Sequence, residues 1–155
     1  MFEYSREYIL FMNELFTQLD SLNMPKSDYA ITGSGPLFVH GFISSLDNDL
    51  DVVARNDAWK IALTFGNPKS GDLGDLIIDI FDGQIQIFNG WSIVNESTDE
   101  IINNAEIHNG YPFATINHVL TYKKKLKREK DLHHIKLIED FQKAHEHIAP
   151  EHVNT

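Results

Sequence analysis

Apolar residues recur along the chain at two spacings, which predict two kinds of element. Where they recur every three or four residues, as between residues 4 and 22, they predict an amphipathic helix. Where short apolar runs lie between turn-forming residues, as in Tyr29–Thr32, they predict strands. The predicted elements are, in chain order, helix 4–22, strand 29–32, a short helix opened by Pro36, strand 49–54, helix 58–65, strands 76–81 and 84–88, a short helix ending near residue 105, helix 115–126 and helix 129–147.

The order of these elements decides the predicted fold class. Strands and helices alternate before two final helices, which predicts an α/β (α+β) fold with a small mixed sheet flanked by helices and a C-terminal helical tail. A length of 155 residues suits one domain with a shared core. We therefore predict a single domain over 1–155, with an N-terminal helix in 1–25, a sheet core in 28–113 and the helical tail in 115–148.

The pair of strands around Asp82-Gly83 can be given a register, because this dipeptide is a strong two-residue hairpin signal. Counting outward from the turn, Ile80 faces Ile85 and Asp79 faces Gln86. One side of the hairpin is then an apolar face made of Ile78, Ile80, Ile85 and Ile87. The other side carries Asp79 and Gln86 as a cross-strand pair close enough to share a ligand.

Helix starts are indicated by residues whose side chains accept hydrogen bonds from free backbone N–H groups. Asn56 or Asp57 is the predicted N-cap of the helix that follows the second strand. Ser97 with Glu100 predicts a capping box. Thr115 is the predicted cap of the first tail helix. Between these last two helices, Asn109-Gly110 predicts a further turn before Tyr111-Pro112-Phe113.

Two features of the first half carry candidate chemistry. Asp49 and Asp51 are two apart at the start of a predicted strand, so their carboxylates share a face and repel unless a cation or a proton lies between them. The turn Gly33-Ser34-Gly35 ends the preceding strand and leads into a helix N-terminus, where free N–H groups favour anions such as phosphate. Together these features predict a metal–nucleotide site.

Composition excludes several functional classes. The chain has 42% hydrophobic residues, no apolar run long enough for a membrane span and no charged-then-apolar leader, so we expect no membrane partner. It has no cysteine, which excludes disulfides and fits a cytoplasmic location. A formal charge of −10 argues against broad nucleic-acid binding, which needs a basic surface.

The pattern G-S-x…D-x-D, at Gly33-Ser34-Gly35 and Asp49–Asp51, resembles the polymerase-beta-like nucleotidyltransferase superfamily, in particular its small bacterial single-domain members. The segment beginning Tyr111-Pro112-Phe113 also resembles the tail of those proteins. The matching tail positions are Lys123, Arg128, Lys130, Asp131 and Ile135. The resemblance covers roughly residues 29–138.

The resemblance implies a site in which Mg²⁺ is held by carboxylates on neighbouring strands. Asp49 and Asp51 match the first two carboxylates, whereas Gln86 occupies the position of the third, and we hypothesise that Asp79 takes this role from the opposing strand. The resemblance assigns the phosphates of an NTP to Gly33, Ser34 and Gly35, and further phosphate contacts to Lys123, Arg128 and Lys130. An arginine common in relatives before D-x-D is absent here, where Ser44-Ser45-Leu46 stands.

The residues described above are compatible with three functions. The first is Mg²⁺-dependent transfer of a nucleoside monophosphate from an NTP to an unknown acceptor hydroxyl. The second is a catalytically degenerate nucleotide-binding or protein-interaction module of the same fold, such as one half of a toxin–antitoxin-like pair. The third is an unrelated α/β domain with incidental aspartates. The small size leaves little room for an acceptor pocket, which favours a homodimer or a partner protein.

The eight histidines give no metal-binding pattern in the sequence. His145 and His147 are two apart on a predicted helix, and His133 and His134 are adjacent, so neither pair shares a face. We expect His40, near the presumed site, to pack or to form hydrogen bonds.

Overall fold

The computed structural model describes residues 5–72 and 74–153, with side chains described as far as residue 145. The first residue of the predicted helix 4–22 and the side chain of His147 therefore lie outside the described part. The helices are α1 (Arg6–Ser21), α2 (Gly35–Val39), α3 (Asn56–Leu63), α4 (Thr98–Asn103), α5 (Ile116–Leu126) and α6 (Glu129–Val153). The strands are β1 (Tyr29–Thr32), β2 (Leu50–Ala54), β3 (Lys69–Ser70), β4 (Leu76–Ile80), β5 (Ile85–Phe88), β6 (Glu106–His108) and β7 (Tyr111–Phe113). A single 3₁₀ turn, Lys26–Asp28, precedes β1.

The described strands form one seven-stranded sheet in the order β3-β4-β5-β2-β1-β7-β6. The pairs β1–β7 and β2–β5 are parallel, and the other neighbours are antiparallel. The predicted fold class, a mixed sheet flanked by helices with a helical tail, is confirmed. The predicted register of the β4–β5 hairpin is confirmed as well, since Ile80 pairs with Ile85 and Asp79 with Gln86.

The two faces of the sheet pack against different helices. One face buries a continuous apolar layer against α1 and α3, as the alternation in β2, β4 and β5 predicts. The sheet residues of this layer are Tyr29, Ile31, Leu50, Val52, Ala54, Ile78, Ile80, Ile85 and Ile87. The other face packs Ala30 and Val53 against Ile101 and Ile102 of α4. A further cluster joins α2 to α5 and α6.

The caps of α4 and α5 are as predicted. Ser97 accepts from the Glu100 N–H at 3.0 Å while the Glu100 carboxylate accepts from the Ser97 N–H. Thr115 accepts from the His118 N–H at 3.1 Å. Each cap satisfies a backbone donor that the helix leaves free, so both helices begin at a fixed residue.

The predicted cap of α3 and the predicted start of β2 are wrong. The N-cap position of α3 is Arg55, whose backbone N–H donates to the Asp28 carbonyl. Its side chain makes no capping bond, because a guanidinium has only donors and cannot accept from the free N–H groups of the helix. Strand β2 begins at Leu50, where an N–H first donates to the Gln84 carbonyl at 2.8 Å. Asp49 therefore lies in the bend just before the strand. Among the described residues, no helix is both long enough and apolar enough to cross a membrane.

Candidate functional site

A polar row crosses the sheet on the face that is not covered by α1 and α3. Thr32 of β1 pairs with Asp51 of β2, Asp51 with Gln86 of β5, and Gln86 with Asp79 of β4. Paired residues on neighbouring strands direct their side chains to the same face. The row therefore brings Asp51 next to the end of β1, where the glycine turn begins.

The glycine turn is shaped to receive the Asp51 carboxylate. Gly33 has φ +64°, and a Cβ built on it would collide with the Asp51 carboxylate oxygen. Any other residue would be strained at this φ and would also displace Asp51. From the tail, the Tyr122 hydroxyl donates to the Gly33 carbonyl at 2.9 Å. Carboxylate and turn are thus in direct contact, with the turn held from α5.

Ser34 connects the turn to a third aspartate. The Asp47 N–H donates to the Ser34 hydroxyl oxygen at 3.3 Å, which brings the loop before β2 over the turn. Sequence analysis did not identify Asp47 as a site residue, because it lies in an irregular loop whose path over Ser34 is not indicated by any local spacing.

The carboxylates of Asp47, Asp49 and Asp51 interact unfavourably. Burial, followed by the charges of Asp49 and Asp47, raises the pKa of Asp51 to about 7, against a lowering effect of Lys130. The pKa of Asp49 is raised by burial and then by Asp47 and Asp79. Carboxylates with this pKa shift hold a proton or bind a cation at neutral pH. Lys130 lies 4.0 Å from Asp47, with both side chains at least half exposed, and does not offset the repulsion.

The structure places Asp79 at one end of the polar row, from where its charge still contributes to the raised pKa of Asp49. It lies two strands from Asp51, which is roughly 10 Å at the usual strand spacing. Its carboxylate forms an ion pair with Lys69 of β3 and accepts from the Gln86 amide at 2.9 Å. The pKa of Asp79 is lowered, first by the hydrogen bond from Lys69. Its role as third metal ligand stays a prediction, and it would require Lys69 to be displaced.

Two of the three predicted phosphate-binding cations are bound to a carboxylate of the tail. Asp131, fully buried, accepts from Lys123 Nζ at 2.9 Å and from Arg128 Nε at 2.6 Å. The Arg128 backbone N–H also donates to Asp131 at 3.1 Å, which caps α6. Burial would raise the pKa of Asp131, but these hydrogen bonds hold it well below its usual range. Asp131 therefore already has its hydrogen-bonding and charge partners within the tail.

A cavity of about 170 Å³ separates the glycine turn from the tail helices. Its polar lining is Ser34, Asp47, Asp51, Lys123, Arg128, Lys130 and His134. Sequence reasoning missed His134. Its Nδ1 is buried and has no hydrogen-bond partner among the described residues, and burial, followed by the charge of Lys123, lowers the pKa of its imidazole to about 4. A neutral imidazole and a carboxylate cluster thus line the same cavity at pH 7.

A second layer of hydrogen bonds fixes the end of β1 behind this cavity. The Thr32 hydroxyl and His118 Nε2 are 3.1 Å apart, and His118 Nδ1 lies 2.8 Å from the Glu96 carboxylate. All three residues are on separate elements, so the contacts join β1 and α5 to the loop before α4. The start of the turn is held on both sides, by Thr32 and by the bond from Tyr122.

Comparisons with known proteins show a distant structural similarity to one solved structure. No protein-family model matches the chain. No curated protein matches it either. Among solved structures, the chain is similar to one from Thermotoga maritima described as a "putative nucleotidyltransferase", with a TM-score of 0.49 and 15% identity over 94% of this chain and 96% of that chain. A likeness this distant assigns neither an activity nor any residue, so the proposals below rest on the site itself.

Proposed function

We propose that the protein binds a divalent cation and a nucleoside triphosphate beside the glycine turn, and transfers the nucleoside monophosphate to an acceptor hydroxyl. The observation that carries the proposal is the position of Asp51. Its carboxylate lies against Gly33, and its pKa is raised to about 7 by burial and by Asp49 and Asp47. A fold that held this arrangement only for stability would gain nothing from it, because the repulsion is unfavourable without a cation.

The side chains present fit Mg²⁺. Asp47, Asp49 and Asp51 offer only carboxylate oxygens, the hard ligands that Mg²⁺ prefers, and they converge at the end of β1. A bound Mg²⁺ would supply Lewis-acid polarisation of phosphoryl oxygens at this point. Asp49 and Asp51 are the proposed ligands. For the third carboxylate we retain Asp79 as the sequence-based candidate and add Asp47, which is already beside the other two.

The other residues of the cavity have separate proposed roles. The backbone N–H groups of Gly33–Gly35 and the Ser34 hydroxyl would donate to phosphate oxygens. Lys130, and Arg128 through the exposed part of its guanidinium, would offset the remaining phosphate charge at the cavity edge. In the transfer, the acceptor oxygen bonds to the α-phosphorus, the bond from this phosphorus to the bridging oxygen breaks, and pyrophosphate leaves. The hydroxyl proton passes to a carboxylate or to water.

A second function, a degenerate module of the same site, is favoured by two observations. Gln86 occupies the strand between Asp51 and Asp79, and Asp79 is neutralised by Lys69. The cavity of about 170 Å³ is also smaller than the ~300–1,000 Å³ typical of pockets that enclose a ligand. In this case the protein would bind a nucleotide or a partner protein without turnover.

Calorimetric titration tests the cation-dependent nucleotide binding that the proposed transfer requires. Wild type, Asp49→Asn/Asp51→Asn and Asp79→Asn are each titrated with MgATP and MgGTP, and Asp57→Asn, an exposed aspartate of α3, is the matched control. The enzyme proposal expects cation-dependent nucleotide binding that the double variant loses and the control keeps. Mn²⁺ should also broaden the amide resonances of Gly33 and Ser34 in wild type and in the control, and not in the double variant. Nucleotide binding that survives without any divalent cation would favour the degenerate module, and no binding of either cation or nucleotide would refute the proposed transferase.

The Asp79→Asn variant decides the third carboxylate. If Asp79 is a ligand, this variant binds MgATP more weakly than wild type. If affinity is unchanged in Asp79→Asn and falls in Asp47→Asn, then Asp47 has the role instead.

A further inference from the structure

Two histidines and a glutamate meet at the far edge of the sheet, away from the acidic cavity. Glu106 and His108 lie on edge strand β6, two residues apart and therefore on the same face. His40 follows the last residue of α2, at the opposite end of this helix from Ser34. The three side chains come from two elements separated by more than sixty residues in the chain, so their convergence is a property of the fold.

The spacing of their donor atoms suits a common metal ion. His40 Nε2 lies 3.6 Å and His108 Nε2 3.7 Å from the same carboxylate oxygen of Glu106. Both distances are longer than good hydrogen bonds. They are close to the ~3.4 Å that separates neighbouring ligand atoms around a tetrahedral ion with bonds of about 2.0–2.1 Å. All three donor atoms lie within 4.8 Å of one another, so small side-chain rotations bring them onto one centre.

One of the three donor atoms, His108 Nε2, also lacks a hydrogen-bond partner among the described residues. This nitrogen is buried, and buried polar nitrogens of this kind are uncommon in native structures. The two imidazole rings lie edge to face with centroids 4.9 Å apart, which keeps both Nε2 atoms near Glu106.

The elements that carry these ligands are themselves held in place. The turn after His108 has both Asn109 and Gly110 in the left-handed region, as a tight hairpin requires. Lys26 Nζ donates to the Gly110 carbonyl at 2.7 Å, which ties the hairpin to the segment before β1. A cavity of about 260 Å³ borders His40 and Glu106, so a water molecule can reach a remaining coordination position.

From this geometry we infer that His40, Glu106 and His108 form a transition-metal site, and Zn²⁺ is the ion that we expect it to bind. Two imidazoles with one carboxylate are a ligand set that Zn²⁺ and its neighbours bind well and that Mg²⁺ binds poorly. Three protein ligands leave one coordination position for water or a fourth donor. The ion would join the end of α2 to edge strand β6. The site is independent of the proposed Mg²⁺ site, whose ligands are all oxygen atoms.

The test is a titration of metal-free protein with Zn²⁺ alone and, in parallel, with Co²⁺, whose visible absorption reports four-coordinate binding. Wild type should bind one equivalent. His40→Ala and His108→Ala each remove a ligand and should weaken binding by more than the ~10–100-fold that loss of an outer-shell partner costs, and Glu106→Gln should weaken it less severely. Zn²⁺ should also raise the melting temperature of wild type in a concentration-dependent way and leave that of the histidine variants unchanged.

Two controls keep the result specific. His133→Ala/His145→Ala removes two other histidines and should bind as wild type does. Asp49→Asn/Asp51→Asn should also bind Zn²⁺ at this site, whatever it does with Mg²⁺, so failure of one proposal is distinguishable from failure of the other. Circular dichroism checks that each variant is folded. The inference is overturned if folded wild type binds no Zn²⁺, or if His40→Ala and His108→Ala bind it as tightly as wild type.

Discussion

Asp51 is partly buried and Asp131 is fully buried near the same cavity, yet their surroundings are opposite. Asp131 is enclosed by Lys123, by the Arg128 guanidinium and by the Arg128 backbone N–H, which together hold its pKa well below the usual range. Asp51 is surrounded by Asp49 and Asp47, and its pKa is raised to about 7 by burial and by these neighbours. The fold thus provides the Asp131 carboxylate with positive partners and leaves the Asp51 carboxylate among like charges.

The difference separates a carboxylate that supports the fold from one available to a ligand. A buried acid that already has its partners has no capacity left for a cation or a phosphate-bound metal. An acid held among like charges gains free energy from any cation that arrives. The contrast also changes the role expected of the tail residues. Lys123 and Arg128 bind Asp131 in the structure, so they can contribute only in part to binding the proposed substrate.

Asp131→Asn should have the largest effect on stability. It leaves Lys123 buried without its counter-charge, so we expect the free energy of unfolding to fall by about 3–5 kcal/mol. Urea unfolding at pH 7 measures it. The matched control is Asp140→Asn, whose exposed partner Lys136 lies 3.2 Å away, and it should cost less than about 0.5 kcal/mol. Equal losses in the two variants would contradict the contrast.

Gly33→Ala should have the second-largest effect on the free energy of unfolding. The new Cβ would be strained at φ +64° and would collide with the Asp51 carboxylate, so we expect a loss of about 2–3 kcal/mol. Gly41→Ala is the control, because Gly41 also has a positive φ of +80° but open space around its Cβ position, and it should lose about 1 kcal/mol. If both variants lose the same amount, Asp51 does not press against the turn.

Asp51→Asn should stabilise the protein, in a pH-dependent way. The pKa of Asp51 rises from 3.8 to about 7 on folding, so the folded state binds more protons than the unfolded state between these values. Ionisation of this group therefore removes stability from wild type as pH rises from about 4 to about 7, and the loss is complete above pH 7. The variant should be more stable than wild type by on the order of 2 kcal/mol at pH 8, after allowing for solvent screening, and nearly equal to it at pH 4.

Unfolding curves of both proteins at the two pH values test this, with and without millimolar MgCl₂. Added Mg²⁺ should raise the stability of wild type at pH 8 and leave the variant unchanged. If wild type is more stable than the variant at pH 8 without any divalent cation, the Asp51 carboxylate already has a stabilising partner within the protein.

Lys130→Gln should have the smallest effect. Its ion pair with Asp47 is long and exposed, so the change in unfolding free energy should stay below about 0.5 kcal/mol. Removing this positive charge should slightly strengthen the binding of Mg²⁺ alone and weaken the binding of MgATP. If calorimetry shows that Lys130→Gln binds Mg²⁺ more tightly and MgATP more weakly than wild type, a phosphate contact by Lys130 is supported. An equal decrease in both affinities would exclude this contact.

Local sequence signals were sufficient for most of the fold. The Asp82-Gly83 turn fixed the register of β4 and β5, and the alternating isoleucines fixed which face is buried. Ser97 and Thr115 determined two helix starts, because a side-chain acceptor and its backbone donor are only three residues apart. Interactions of this range can be read without knowing the tertiary arrangement.

The contacts that sequence analysis missed are those between distant segments. Asp47 joins the site because residues with no periodic pattern bring the chain back over Ser34. Lys69 reaches Asp79 from β3, a two-residue strand too short to be recognised. His134 lines the cavity because Lys127 adopts a left-handed conformation and directs α6 back along α5. Each contact depends on a change of chain direction that residue types alone do not specify.

The hydrogen bond from Tyr122 to the Gly33 carbonyl joins residues 89 positions apart. During synthesis, β1, β2 and the glycine bend all emerge before α5 exists, so this restraint is added only after α5 has been made. Contacts of such long sequence separation form late because they require a large loop to close. The central strands can therefore associate first, and the proposed catalytic end of the sheet is completed as one of the last steps of folding.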